Sequence, residues 1–224
     1  MKKILLLILA GIILKIFLFS SNDVTTDYID EGSYFVIEGK KPEDVNIKIY
    51  VDYFGRGNQC SGWSWNEATG KKSSGFYSST FTLTNNYSNK ENYFKFKLPF
   101  KNREPEKDCI THLSEISLIA SNEVDTNGFA NLNLKNAKEL GKNVTAHFTD
   151  LIEAKNCELV KFPRALIPIN NVLGCDFHVN SNARDETRGG ELDLYYDYSE
   201  INSNTVLTYN IYKGEGYKSE IDKK

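Results

Sequence analysis

Both tryptophans of the chain, Trp63 and Trp65, lie in Gly55-Arg56-Gly57-Asn58-Gln59-Cys60-Ser61-Gly62-Trp63-Ser64-Trp65. Two positions apart, they project to the same side of an extended segment. Exposed next to Arg56, the pair would form a recognition surface, a large rigid apolar area with a cation at its edge. The same rings could stack on sugars. Packed against a disulfide at Cys60 they would instead belong to the core, because tryptophan is highly buried on average. The other arginine-bearing candidate is Arg184-Asp185-Glu186-Thr187-Arg188-Gly189-Gly190. Its mixed signs read as a solvated hairpin connection. Arg184 and Arg188 are the residues a partner would use, since arginine is enriched at interfaces.

Four cysteines, Cys60, Cys109, Cys157 and Cys175, are an even number. In an exported chain that reads as two disulfides, and proximity suggests Cys60–Cys109 and Cys157–Cys175, with other connectivities open. There is no CxxC pair, so neither thioredoxin-type redox chemistry nor a zinc ribbon has its signature. His112, His147 and His178 fall in or beside separate expected strands, with no HxH or HExxH spacing. No metal and no cofactor is expected from this pattern. Asp176 and His178 share a strand face, the one arrangement from which a hydrolase could be built. Asp193 and Asp197 share another, where solvated acids are the plain explanation; a glycosidase pair would need a defined separation across a cleft. GxSxG and GxxxxGK[ST] are both missing, so a nucleophile elbow and a phosphate-cradling loop have no support.

The elements that must carry these residues alternate with a period of two. In Val45-Asn46-Ile47-Lys48-Ile49-Tyr50-Val51-Asp52-Tyr53 the odd positions are apolar or aromatic, as in a half-buried strand. Residues 93–98 put Phe94, Phe96 and Leu98 on one face. Residues 191–198 do so with Leu192, Leu194, Tyr196 and Tyr198, and residues 205–212 with Leu207, Tyr209 and Ile211. Weaker strands are expected at 34–38, 76–84, 115–120, 129–134, 144–149, 158–162 and 176–179. Glycine, asparagine and serine clusters separate them. Only Asn136-Ala137-Lys138-Glu139-Leu140, closed by Gly141, has a helix signal, for about one turn. The expected fold is all-β, an antiparallel β-sandwich after an N-terminal hydrophobic leader helix. The polar run 121–128 divides it into two small sandwich domains, 28–122 and 123–217, or serves as a loop of one continuous sandwich. Residues 218–224 read as a flexible tail.

Met1 to Phe19 is nearly all aliphatic behind Lys2 and Lys3, and acids follow from Asp23 onward. Basic before and acidic after directs the bulk of the chain across a membrane. Residues 1–21 fit a cleaved signal peptide by h-region length. They also fit a short inner-membrane anchor in which Lys15 snorkels. Without Lys2, Lys3 and Lys15 the 27 bases fall to 24 against 30 acids. That surplus argues against nucleic acid as a partner, since phosphate binding needs a basic footprint. The resulting expectation is a periplasmic or extracellular cell-envelope protein that touches the membrane only through its N-terminal segment. Its expected role is non-enzymatic, as a protein-binding or structural component, one version being an immunity or inhibitor protein against a toxin. A carbohydrate-binding module is the second class and a hydrolase the third.

Overall fold

The computed structural model describes residues 34–56, 63–66, 71–74, 76–100, 110–160, 172–184 and 189–220. Arg56, Trp63, Trp65 and their immediate neighbours in sequence up to Tyr77 are described by backbone alone. The leader, Cys60, Cys109 and Arg188 lie outside the described residues. Among the described residues no helix is long and apolar enough to cross a membrane.

The described residues are mostly in strands. They are β1 (Tyr34–Lys40), β2 (Asn46–Arg56), β3 (Trp63–Asn66), β4 (Lys71–Ser74), β5 (Phe76–Leu83), β6 (Tyr93–Pro99) and β7 (Ile110–Ser121). There follow β8 (Asn131–Asn136), β9 (Leu151–Leu159), β10 (Leu173–Val179), β11 (Asn182–Ala183), β12 (Glu191–Tyr196) and β13 (Val206–Lys213). One sheet has the order β11-β10-β9-β13-β1-β6 and the other β12-β8-β7-β2-β5; β3 and β4 form a separate hairpin. The alternation seen in the sequence decides which side chains face inward. Ile49, Val51 and Tyr53 of β2 are buried, as are Phe94, Phe96 and Leu98 of β6, and Leu207, Tyr209 and Ile211 of β13. These join Phe35, Ile37, Ile116, Leu118, Leu132, Leu134, Leu192 and Leu194 in one continuous core. Burial of these side chains is the main stabilising term, at roughly 1.5–3 kcal/mol for each large one. Tyr209, fully buried, also donates a hydrogen bond of 2.8 Å to the carbonyl of Ala130.

The expected all-antiparallel pairing is corrected to two mixed sheets. β1 runs parallel to β13, β13 parallel to β9, and β12 parallel to β8. Parallel neighbours cannot be joined by a tight turn and need long connections. Here they are strands remote in sequence, so no local turn signal announces them. At the centre of the first sheet, Gly39 lets β1 approach β13 closely. A Cβ there would fall 1.6 Å from the carbonyl oxygen of Tyr209.

Both sheets draw strands from either side of residues 121–128. That segment connects β7 to β8, which are neighbours in one sheet. It is pinned by its own polar side chains. Asn122 Oδ1 accepts from the amides of Val124 and Asp125, and Asp125 accepts from Gly128 and Leu173. The tail is tied to the same loop, because Asn122 Nδ2 donates 3.0 Å bonds to the Tyr217 hydroxyl and the Lys218 carbonyl.

Two local expectations meet the structure differently. The one-turn helix α1 (Ala137–Leu140) is present, with Asn136 as N-cap and Gly141 in the left-handed region at φ 62°. The strand expected at 144–149 is absent. Asp150 Oδ2 accepts from the amide of His147, and the Asp150 amide donates to the His147 carbonyl. This side-chain-closed turn competes successfully with an extended ladder.

Candidate functional site: the open edge of a sheet

The rims of the two sheets are where unpaired backbone groups are available to another chain. In the first sheet, the rim beyond β10 is covered. A tight turn with Asn180 and Ser181 at positive φ sends the chain back as β11. Further along, Cys175 and Gly189 exchange backbone hydrogen bonds of 2.7 and 3.2 Å. Cys157 and Cys175 form a disulfide between β9 and β10, with Cα atoms 4.2 Å apart. At the opposite rim, β6 has its Lys95 carbonyl and amide bonded by the Tyr87 amide and Asn86 Oδ1. Lys95 pairs with Glu38 at 3.1 Å, and Lys97 lies 4.9 Å from each of the Tyr34 and Tyr87 ring centroids.

In the second sheet, β12 is clamped by residue 145. The Thr145 amide donates to the Tyr195 carbonyl, and the Tyr195 amide donates to Thr145 Oγ1. Arg184 supports this clamp, its Nη2 donating a 2.9 Å bond to the Thr145 carbonyl. The side chain behind β12 is also fixed. Partial burial raises the Asp193 carboxyl, but hydrogen bonds from Lys135 and Asn133 outweigh that and hold it below the ordinary carboxylate range.

The other rim of that sheet is β5. It pairs with β2 on one side, from Ile49↔Leu83 to Arg56↔Phe76. On its other side no backbone hydrogen bond is made among the described residues. Its sequence, Phe76-Tyr77-Ser78-Ser79-Thr80-Phe81-Thr82-Leu83, contains no charge and no proline. Phe81 and Leu83 pack against the core, which holds the strand in register, while Ser78 and Thr80 are exposed. Thr80 donates its hydroxyl to Asp52 across the ladder. The β3–β4 hairpin is inserted between β2 and β5 and begins and ends where Arg56 opposes Phe76. The backbone therefore places Arg56, Trp63 and Trp65 at one end of this open rim. Trp63 opposes Ser74 and Trp65 opposes Lys72 in the hairpin.

The remaining candidates are dispersed. His178 Nδ1 lies 3.2 Å from the backbone carbonyl of Asp176, whose carboxylate accepts from Asn156 instead. His147 lies 3.7 Å from Glu200, on exposed surface. Among the described residues no group of histidines, cysteines and acids is placed to hold a metal. The strand expected at 76–84 is β5, but the sequence did not show that it forms an open rim, because openness depends on strand order. The run of uncharged residues at 76–83 was the available signal. Compared with protein-family models, curated proteins and solved structures, the chain matches none.

Proposed function

We propose that this is an exported cell-envelope protein whose role is to bind a protein partner, which adds a strand to β5. The observation that carries the reading is an eight-residue rim strand, free of charge, with an unoccupied hydrogen-bonding side among the described residues. Strand addition draws affinity from main-chain hydrogen bonds and specificity from alternate side chains. On β5 those side chains are the exposed Ser78 and Thr80, with the tryptophan hairpin at one end of the strand. The leader and the Cys157–Cys175 disulfide support export, since disulfides persist in oxidising compartments. The acidic balance of the chain beyond the leader suits a basic partner through charge complementarity.

The test uses the mature chain as bait in an envelope extract, next to a Ser78→Lys/Thr82→Lys variant. The wild type is expected to retain a partner and to gain amide-exchange protection across residues 78–83. The variant is expected to lose at least about tenfold in affinity, the equivalent of ~1.4 kcal/mol. Equal retention by both chains, or protection elsewhere only, would overturn the assignment.

A further inference from the structure

The corner of the first sheet where β1 ends and β6 begins holds a cavity of about 470 Å³, open to solvent. Two turns build it. In one the Val45 amide donates to the Pro42 carbonyl, and in the other the Tyr93 amide donates to the Lys90 carbonyl. Lys41 ties the turns together. Its amide donates to the Asn92 carbonyl at 3.1 Å, and its Nζ donates to the Glu91 carbonyl at 2.6 Å. The end of β13 supplies a further wall with Tyr212 and Lys213. The volume is within the roughly 300–1,000 Å³ usual for ligand sites.

Charge is spread unevenly around it. Lys40, Lys41, Lys90 and Lys213 line the cavity with Tyr93 and Tyr212, and among the described residues no carboxylate does. This is a local surplus of cations in a chain with 27 Lys plus Arg against 30 Asp plus Glu. Two of these lysines are committed. Lys41 Nζ also lies 3.4 and 3.5 Å from the Pro42 and Glu43 carbonyls. Lys213 pairs with Asp44 at 3.1 Å, its Nζ over the Tyr217 ring. Partial burial holds the Lys41 ammonium below the ordinary lysine value, although Asp44, Glu91 and Glu43 act against it from outside the walls. Glu38 is occupied as well, paired with Lys95 and hydrogen-bonded by Tyr93. Lys40 and Lys90 are exposed and have no carboxylate partner among the described residues.

We infer that this cavity binds a phosphate monoester, its dianionic group held by Lys40 and Lys90 and its organic body set against Tyr93 and Tyr212. Two uncommitted ammonium groups match two negative charges. Lysine is a compact point charge with rotatable donors, which suits a tetrahedral phosphate. A planar carboxylate is matched best by the fork of an arginine, and the walls contain none. Each tyrosine offers an apolar ring with a polar tip to the rest of the molecule. The site belongs to the first sheet and does not depend on the partner proposed for β5.

The probes are phenyl phosphate and phenyl sulfate, a monoanion of similar shape, titrated against the full chain by NMR at low ionic strength. The pH is set at about 7.5, where a phosphate monoester with its second pKa near 6 is a dianion. Amide shifts are expected at residues 40–42, 90–93 and 211–213. Phenyl phosphate is expected to bind at least about threefold more tightly than phenyl sulfate, the effect of one additional exposed ion pair. Lys40→Gln/Lys90→Gln is expected to lose at least about fivefold in phenyl phosphate affinity. Lys48→Gln/Lys142→Gln removes the same charge from exposed positions elsewhere and is expected to stay within about twofold of wild type. Two further arms identify the source of the phosphate. Cosedimentation with phosphatidylcholine vesicles containing phosphatidic acid that falls in Lys40→Gln/Lys90→Gln alone assigns the site to a lipid head group. Binding of phenyl phosphate without that loss assigns it to a soluble ester. No phenyl phosphate binding by the wild type, equal affinity for the two esters, or equal losses in the two lysine variants would each overturn the site.

Discussion

β10 and β5 lie toward the rims of their respective sheets, yet they are finished in opposite ways. β10 is bonded covalently to β9, covered by β11, and met again by Gly189. β5 is held by β2 alone among the described strands. Exposed rims invite unwanted pairing, and proteins usually blunt them with charge, proline, bulges or covering chain. Three rims of this sandwich show such devices: the return strand beyond β10, the lysines and capping loop of β6, and the residue-145 clamp on β12. Among the described residues β5 shows none of them, and on the function proposed above that marks it as the rim kept for use.

The largest expected effect comes from unstapling the closed flank. Replacing both Cys157 and Cys175 by alanine should lower unfolding free energy by about 3 kcal/mol, the value for closing a loop of this length. Denaturant titration measures it, and partner affinity at β5 should be unchanged under conditions where the variant is folded. A drop in affinity parallel to the drop in stability would erase the distinction between the two flanks. Next in size is the Ser78→Lys/Thr82→Lys variant, whose stability should stay within about 0.5 kcal/mol of wild type, as for surface changes generally. Its effect belongs to binding.

Exchanging the character of the rims gives a smaller effect. Lys95→Thr/Lys97→Thr strips the charges from β6 and should produce weak, concentration-dependent association in sedimentation velocity. Loss of the Lys95–Glu38 pair costs at most about 1 kcal/mol, because water reaches both partners of this partly exposed pair. A strictly monomeric variant would mean that the 86–87 cap closes β6 unaided.

The smallest effect is acid sensitivity. The Asp193 carboxyl is held below its ordinary value in the folded state. Its contribution is therefore fully present above the ordinary, unfolded-state value. It is lost as pH falls through the lower folded-state value. Amides of β12 should exchange faster over that interval, and Asp193→Asn should remove the dependence at a cost under about 1 kcal/mol. β5 has no titrating side chain between Ser78 and Leu83, so its exchange should not follow the same transition.

Much of the strand inventory was legible because burial on one face imposes alternation. β2, β6, β12 and β13 were found by that rule, and Gly141 marked the end of α1. β9 was placed too late, at 158–162, because its centre carries Glu153. Glu153 is buried, and its carboxylate pairs at 2.6 Å with the partly exposed Lys155, so a charged pair takes the place of an apolar alternation. By composition the run at 121–128 read either as a linker or as a loop of one sandwich. Its Asn122 and Asp125 side chains hydrogen-bond the backbone of the loop between β7 and β8. The parallel pairings were not legible at all, since contacts between remote strands leave no local signature. For the same reason the candidate site was half visible. The tryptophans and Arg56 were recognisable as residue types, whereas the open rim beside them exists only once the order β7-β2-β5 is known.

The position of the Cys157–Cys175 bond has one more consequence. Its partners are 18 residues apart in sequence and belong to adjacent paired strands. A protease that cuts the chain once between them creates a two-chain molecule whose halves stay joined. The N-terminal piece keeps β1 to β9 up to the cysteine, and the C-terminal piece keeps β10 from its cysteine onward together with β11 to β13. Such a cleaved form would migrate as one species without reductant and as two with it, so proteolytic processing at this place is compatible with an intact β5 rim.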